Sequence, residues 1–296
     1  MRAPARPATP DPTPRGTGAV TGRPVPFAYT LLLAGIMVAA SSYGLLVDGA
    51  YPAPEGVRPT LPETLRGQDL VNLLAAAALL WGGWRAHAGR LLGHVVWLAV
   101  CLYISYTYLM YAVAPYNDAL LLYIAGIGLG AYGLVHGLVR LDARAVAEAF
   151  EGLPRRGLAF FLLALAGLFT TMWLVSILSV WPGGVPDGLF TYDIPSIVHV
   201  LDLGIVLPLL AITGVMLLRG HPVAPVLAVI LLVKTLTLGL ALLSMNAFIA
   251  ASAGLSDPSE PVIWVVVVAV SLTWLVFAIR RMREPDGPWL HPSIWT

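Results

Sequence analysis

Apolar residues in this chain fall into eight long runs, near 27–47, 68–84, 91–113, 119–139, 157–181, 196–218, 223–246 and 261–279. A hydrocarbon core of about 30 Å needs roughly 20 helical residues to cross it, so each run is long enough to be a membrane span. Backbone groups in lipid must be satisfied within their own segment, and the strict alternation of a membrane barrel is absent, so the runs predict helices. The expectation is an all-α, polytopic transmembrane helical bundle of about eight spans, covering 27–280. The second run is the most polar, with Asp69 and Asn72 in its first turn. Segment 1–26 holds seven prolines and four arginines and reads as a disordered tail, and 281–296 as a carboxy-terminal tail. Leu141–Leu153 reads equally as a short interfacial helix or as a plain loop.

Positive charge gives the pattern a direction, because short cytoplasmic loops collect Lys and Arg. Fourteen arginines lie before span one, between spans two and three, four and five, six and seven, and after span eight, against Arg58 and Arg66 on the other side. Both termini are therefore expected in the cytoplasm. Composition agrees, with 58% of residues apolar and 11% charged, far from a soluble domain. The net charge of +1 speaks against a nucleic-acid partner and leaves the lipid bilayer as the first one. Cys101 stands alone, so neither a disulfide nor a cysteine-based metal site is expected, and no sequence feature calls for a cofactor.

Ionisable groups inside a span are costly, at about 2.5–3.5 kcal/mol on insertion scales, and by default suggest function. Lys234 is the only lysine in the chain and lies eleven residues into span seven, about 16 Å deep at 1.5 Å per residue. It suits proton exchange or ligand pairing, or alternatively a buried ion pair that holds two helices together. Asp202, with His199 one turn before it on the same helix face, is the second candidate. An Asp202–Lys234 pair is plausible, and Pro208 should kink the same helix and open space nearby. His199 reads equally as an interfacial histidine. Asp69 joins the candidates, or is a first-turn acid favoured by the helix dipole. Tyr103 and Tyr106 are deep in span three and read as cavity-lining or as packing, whereas Tyr111 and Tyr116 read as an interfacial aromatic belt. Gly126, Gly130, Gly133 and Gly137 in span four have the spacing that lets helices approach closely. Spans five and eight, without ionisable residues, read as lipid-facing scaffold, and His94 and His136 as interfacial.

Gly67-Gln68-Asp69-Leu70-Val71, the tyrosine-rich span three leading to Asn117, Leu201-Asp202-Leu203 through Pro208, and Leu231-Leu232-Val233-Lys234 together resemble a family of uncharacterised bacterial polytopic membrane proteins. The resemblance covers roughly residues 40–280. It implies a bacterial cytoplasmic (inner) membrane and adds no mechanism.

Three functions compete. The first is a transporter or channel-like protein for a small solute or proton, with an outward-facing polar cavity around Lys234, Asp202, His199, Asp69, Tyr106 and Tyr103. The second is a membrane-embedded sensor or assembly partner through which nothing passes, its protein partners unspecified. The third is an intramembrane lipid-modifying enzyme, which the lack of HExxH, GxSxG and paired cysteines disfavours. Retinal attachment at Lys234 ranks lowest, because span three has no carboxylate to serve as counterion.

Overall fold

The computed structural model of the chain describes residues 26–186, 188, 190–192, 196–253 and 260–291. Residues 1–25 of the expected tail lie outside the described residues. The chain forms α1 (Phe27–Leu46), α2 (Leu61–His87), α3 (Leu91–Ala112), α4 (Leu120–Val139), the short α5 (Ala143–Ala149), α6 (Arg155–Leu178), α7 (Ile197–Leu201), α8 (Leu207–Leu218), α9 (Ala224–Ala253) and α10 (Glu260–Arg281). A π-helical turn, Asp202–Val206, joins α7 to α8 in one continuous helix. Seven of the described helices are long and apolar enough to cross a membrane, the mark of a membrane-embedded protein.

The helix missing from that seven is α2, in place of the eighth span that the hydrophobic pattern predicts. Gln68, Asp69 and Asn72 make it too polar to qualify on composition, yet all three are buried in the bundle. It is also longer than its apolar run, starting at Leu61 with Pro62 in the first turn, where a missing N–H costs nothing. It packs against α1, α3 and α9. A Cβ at Gly83 near its end would meet Thr30 at the start of α1, and one at Gly67 near its start would meet Met245 towards the end of α9. It therefore runs antiparallel to both neighbours along the length of the bundle.

The small-residue stripe of α4 packs as its spacing suggests. Cβ atoms at Gly126, Gly130, Gly133 and Gly137 would collide in turn with Tyr108, Ser105, Trp97 and Leu98 of α3. At the periphery, α6 and α10 expose most of their surface, as their unbroken apolar runs imply. The interior belongs to α3, α9 and the polar face of α2.

Around Leu141–Leu153 the short-helix alternative holds. Asp142 caps α5 by accepting from the amides of Arg144 and Ala145, and Val146 turns inward. The segment after α10 folds back over the arginine-rich end. The Glu284 carboxylate accepts from the amide of Leu91, the first residue of α3, at 2.8 Å, and Trp289 donates to the Gly89 carbonyl at 3.0 Å. Trp289 also packs against His94, which is fully buried, donates from Nε2 to the Gly137 carbonyl, and is stacked on Trp97. His94 is thus a core residue rather than an interfacial one, because the carboxy-terminal segment covers it.

Candidate functional site

Pro208 lacks an N–H, so it cannot donate to the carbonyl four residues back, and the helix answers with a wider turn. The amide of Leu207 reaches Asp202, five residues before it. A π turn thus precedes Pro208, and Asp202 at its start is buried in the bundle.

There Asp202 meets two neutral donors. The Tyr106 hydroxyl of α3 donates to Oδ1 at 2.9 Å, and the indole N–H of Trp173 on α6 donates to Oδ2, also at 2.9 Å. Lys234 lies ten residues into α9, about 15 Å from the arginine-rich end of that helix. Its residue exposure is 2%, and its ammonium sits over the Tyr106 ring, 3.6 Å from the centroid. The opposite charge acting on it is that of Asp202. The direct Asp202–Lys234 pair does not form, since no carboxylate lies within ion-pair distance of the ammonium among the described residues. Tyr106 stands between the two charges and binds both, one through its hydroxyl and one through its ring face. A desolvated cation–π contact of this kind is worth about 2 kcal/mol.

His199, one turn before Asp202, packs edge-on against Trp173 with 4.6 Å between ring centroids. It is 4% exposed, so it is buried within the bundle, and its Nδ1 has no hydrogen-bond partner. Lys234, Asp202, His199, Tyr106 and Tyr103 all border one cavity of about 480 Å³. Gln68 forms another part of the wall, and Phe169, Trp264 and Met245 give it a largely apolar character. The cavity reaches towards the arginine-poor end, where Arg58, Gly188 and Ser196 border it. That mouth is held by backbone pairing. Arg58 donates from its amide to the Phe190 carbonyl at 2.8 Å and from Nε to the Gly188 carbonyl at 2.7 Å, beside a bridge between Val57 and Thr191.

Asp69 is placed differently. It does not border the cavity and is not in a first helical turn, since α2 begins eight residues earlier. Buried to 1% exposure, it accepts from the Tyr51 hydroxyl at 2.5 Å and from the Tyr111 hydroxyl at 3.0 Å. Tyr111 is therefore a core residue at 2% exposure rather than part of an aromatic belt, while Tyr116 is 71% exposed. The two regions touch through Asn72 and Tyr103. Asn72 lies 3.5 Å from Asp69 and accepts from the Tyr103 hydroxyl at 2.6 Å, and Gln68 donates to that same hydroxyl at 2.5 Å. A chain of hydrogen bonds thus runs from the buried Asp69 to the cavity wall.

Among the described residues no group of three His, Cys, Asp or Glu side chains is placed to hold a metal ion. The carboxylate nearest the lysine comes from the helix of Asp202, so the absence of one in α3 is no argument against imine chemistry at Lys234. Trp173, Phe169 and Trp264 were not singled out by sequence. The only signal for Trp173 is an indole N–H in the interior of a span without ionisable residues. Compared with family models, curated proteins and solved structures, the chain matches none. The likeness to bacterial polytopic proteins thus gains no support, and the functional reading rests on the cavity.

Proposed function

We propose that the protein is a multi-pass protein of eight spans in a bacterial inner membrane, both termini in the cytoplasm, that carries a small solute through the cavity at Lys234. One observation carries this reading. The chain's only lysine is buried at the floor of a cavity of about 480 Å³, with three donor hydrogens and a ring face, but no carboxylate, beneath it. A purely architectural lysine would be expected to meet its counter-charge directly, because an unpaired buried ammonium is costly. The antiparallel course of α2 and the arginine bias support eight spans, since an even number returns both ends to one side. The mouth, at the arginine-poor end, then faces outward.

Topology can be tested with single cysteines in a Cys101→Ala background. Glu55→Cys, before α2, should react with a membrane-impermeant maleimide in intact cells, and Ala88→Cys, after α2, only once the cells are permeabilised. Reaction of both in intact cells would place the two ends of α2 on one side and overturn the eight-span arrangement.

Transport is tested by stopped-flow swelling of proteoliposomes against a panel of carboxylates, amines, amino acids and sugars. At least one solute should enter faster through wild type than through Lys234→Met, which keeps the volume and removes the charge. If no solute separates wild type from empty vesicles, carriage is overturned in favour of the second reading, a sensor that binds without passage. That reading has its own support. Beyond Lys234 the adjoining cavity, walled by Leu165, Leu207 and Leu210, holds about 20 Å³.

A further inference from the structure

The hydrogen-bonding capacity of the cavity is uneven. Each oxygen of Asp202 already accepts from a neutral donor, Tyr106 on one side and Trp173 on the other. The Tyr103 hydroxyl is engaged by Asn72 and Gln68. What remains open is the Lys234 ammonium, whose donors meet no acceptor among the described residues, and the partnerless Nδ1 of His199. Among the described residues that border the space, the Lys234 ammonium faces one carboxylate, that of Asp202. Much of the rest of the wall is apolar and aromatic, with Phe169 and Trp264 stacked parallel at 5.7 Å and Leu238 and Met245 beside them, and Thr60, Thr64, Thr107 and Ser196 supply hydroxyls. A ligand that completes this surface needs one anionic group for Lys234 and an apolar body for the wall.

We infer that the cavity selects a small carboxylate with an apolar or aromatic body, its carboxylate on Lys234 and its body against Phe169, Trp264 and Met245. The inference rests on the cavity reading above and names its substrate class. An amine of the same shape would bring its charge towards that of Lys234, to a carboxylate whose two oxygens each already accept one hydrogen bond. A neutral analogue would gain the wall and forgo the ammonium.

The test uses three probes of one shape and different charge, 4-phenylbutyrate, 4-phenylbutanol and 4-phenylbutylamine. Each is titrated calorimetrically into the full chain in phosphatidylcholine nanodiscs, with empty nanodiscs subtracted. Phenylbutyrate should bind wild type about tenfold to a hundredfold more tightly than the alcohol, the range for one charge-assisted hydrogen bond, with the amine weakest. Lys234→Met should bring the carboxylate to the level of the alcohol and leave the alcohol unchanged. The wild-type ranking needs no variant, so a poorly folding Lys234→Met would not spoil the test. Saturable binding with the amine tightest, or carboxylate binding that is indifferent to Lys234→Met, overturns the carboxylate class and leaves the cavity as a ligand site. Absence of saturable binding by all three probes overturns the class and removes support for the ligand cavity as well.

Discussion

Gly67→Ala should be among the most damaging single-methyl additions in this protein, although the new side chain is only a methyl group. A Cβ at position 67 would stand 2.6 Å from the Met245 Cα, 2.7 Å from its amide nitrogen and 2.9 Å from the Ser244 carbonyl carbon. All three are backbone atoms, so no rotamer change can make room. The only relief is for α2 and α9 to part along their length. Overpacking of a tight interior costs about 1–3 kcal/mol and sometimes more, and a clash with backbone belongs at the upper end. Gly128→Ala is the matched control. Its Cβ would meet nothing within 4 Å, and exchanging a mid-helix glycine for alanine stabilises by about 0.5–1 kcal/mol. Thermal unfolding in detergent should therefore move down steeply for Gly67→Ala and stay level or rise for Gly128→Ala. Equal melting temperatures would mean that the α2–α9 seam yields freely.

The seam also matters for the cavity. Gln68, next to Gly67, forms part of the wall on α2, and Lys234 comes from α9. The polar side chains that disqualify α2 as an ordinary span fix it in place, through Tyr51, Tyr103 and Tyr111. Gly44 of α1 completes the seal, since a Cβ there would fall 2.0 Å from the Asp69 Oδ2 and 2.1 Å from the Tyr51 hydroxyl. A polar helix at the centre of an apolar bundle is tolerated because Gln68, Asp69 and Asn72 each find hydrogen-bond partners.

How much of this is legible in the sequence follows from what each signal costs. Helix existence is legible because crossing lipid demands about 20 apolar residues in a row, and all seven apolar spans stand close to their predicted places. The full length of α2 is not legible, because its ends are held by tertiary partners rather than by apolarity. The convergence of Lys234, Asp202, His199, Tyr106 and Tyr103 on one half of the bundle follows from topology and depth. Their mutual geometry does not. Whether Asp202 reaches Lys234 directly depends on the π turn and on Tyr106 standing between them, and neither leaves a trace in residue spacing. Tyr111 and His94 are misread for one shared reason. Aromatic residues near the ends of spans are usually interfacial, but here Asp69 and Trp289 draw them inward. Trp173, Phe169 and Trp264 escape notice because an aromatic side chain in an apolar span pays no burial cost, so only the rotation of its helix decides what it faces.

That geometry sets the stability order of variants at the two charges. Asp202→Leu should be the most destabilising, because it strands the Tyr106 hydroxyl and the Trp173 N–H, at about 1–3 kcal/mol for each buried donor left unpaired, and leaves Lys234 without an opposing charge. Asp202→Asn is gentler. Trp173 can only donate, so the amide oxygen turns towards it, while the Tyr106 hydroxyl rotates and accepts from the amide NH2. Both hydrogen bonds survive, and the variant reports the loss of charge alone, about 3 kcal/mol if Lys234 then stands uncompensated. Lys234→Met should cost less than Asp202→Asn, since the carboxylate keeps both donors. The double variant Asp202→Asn, Lys234→Met removes both charges and keeps the hydrogen bonds, so it should recover most of the loss and come close to wild type. Unfolding in detergent at fixed pH measures all four. A double variant less stable than either single one would show that each charge holds the fold by itself. The expected order would show instead that the fold does not require them, so that the reason for a lone lysine at the floor of this cavity lies outside stability.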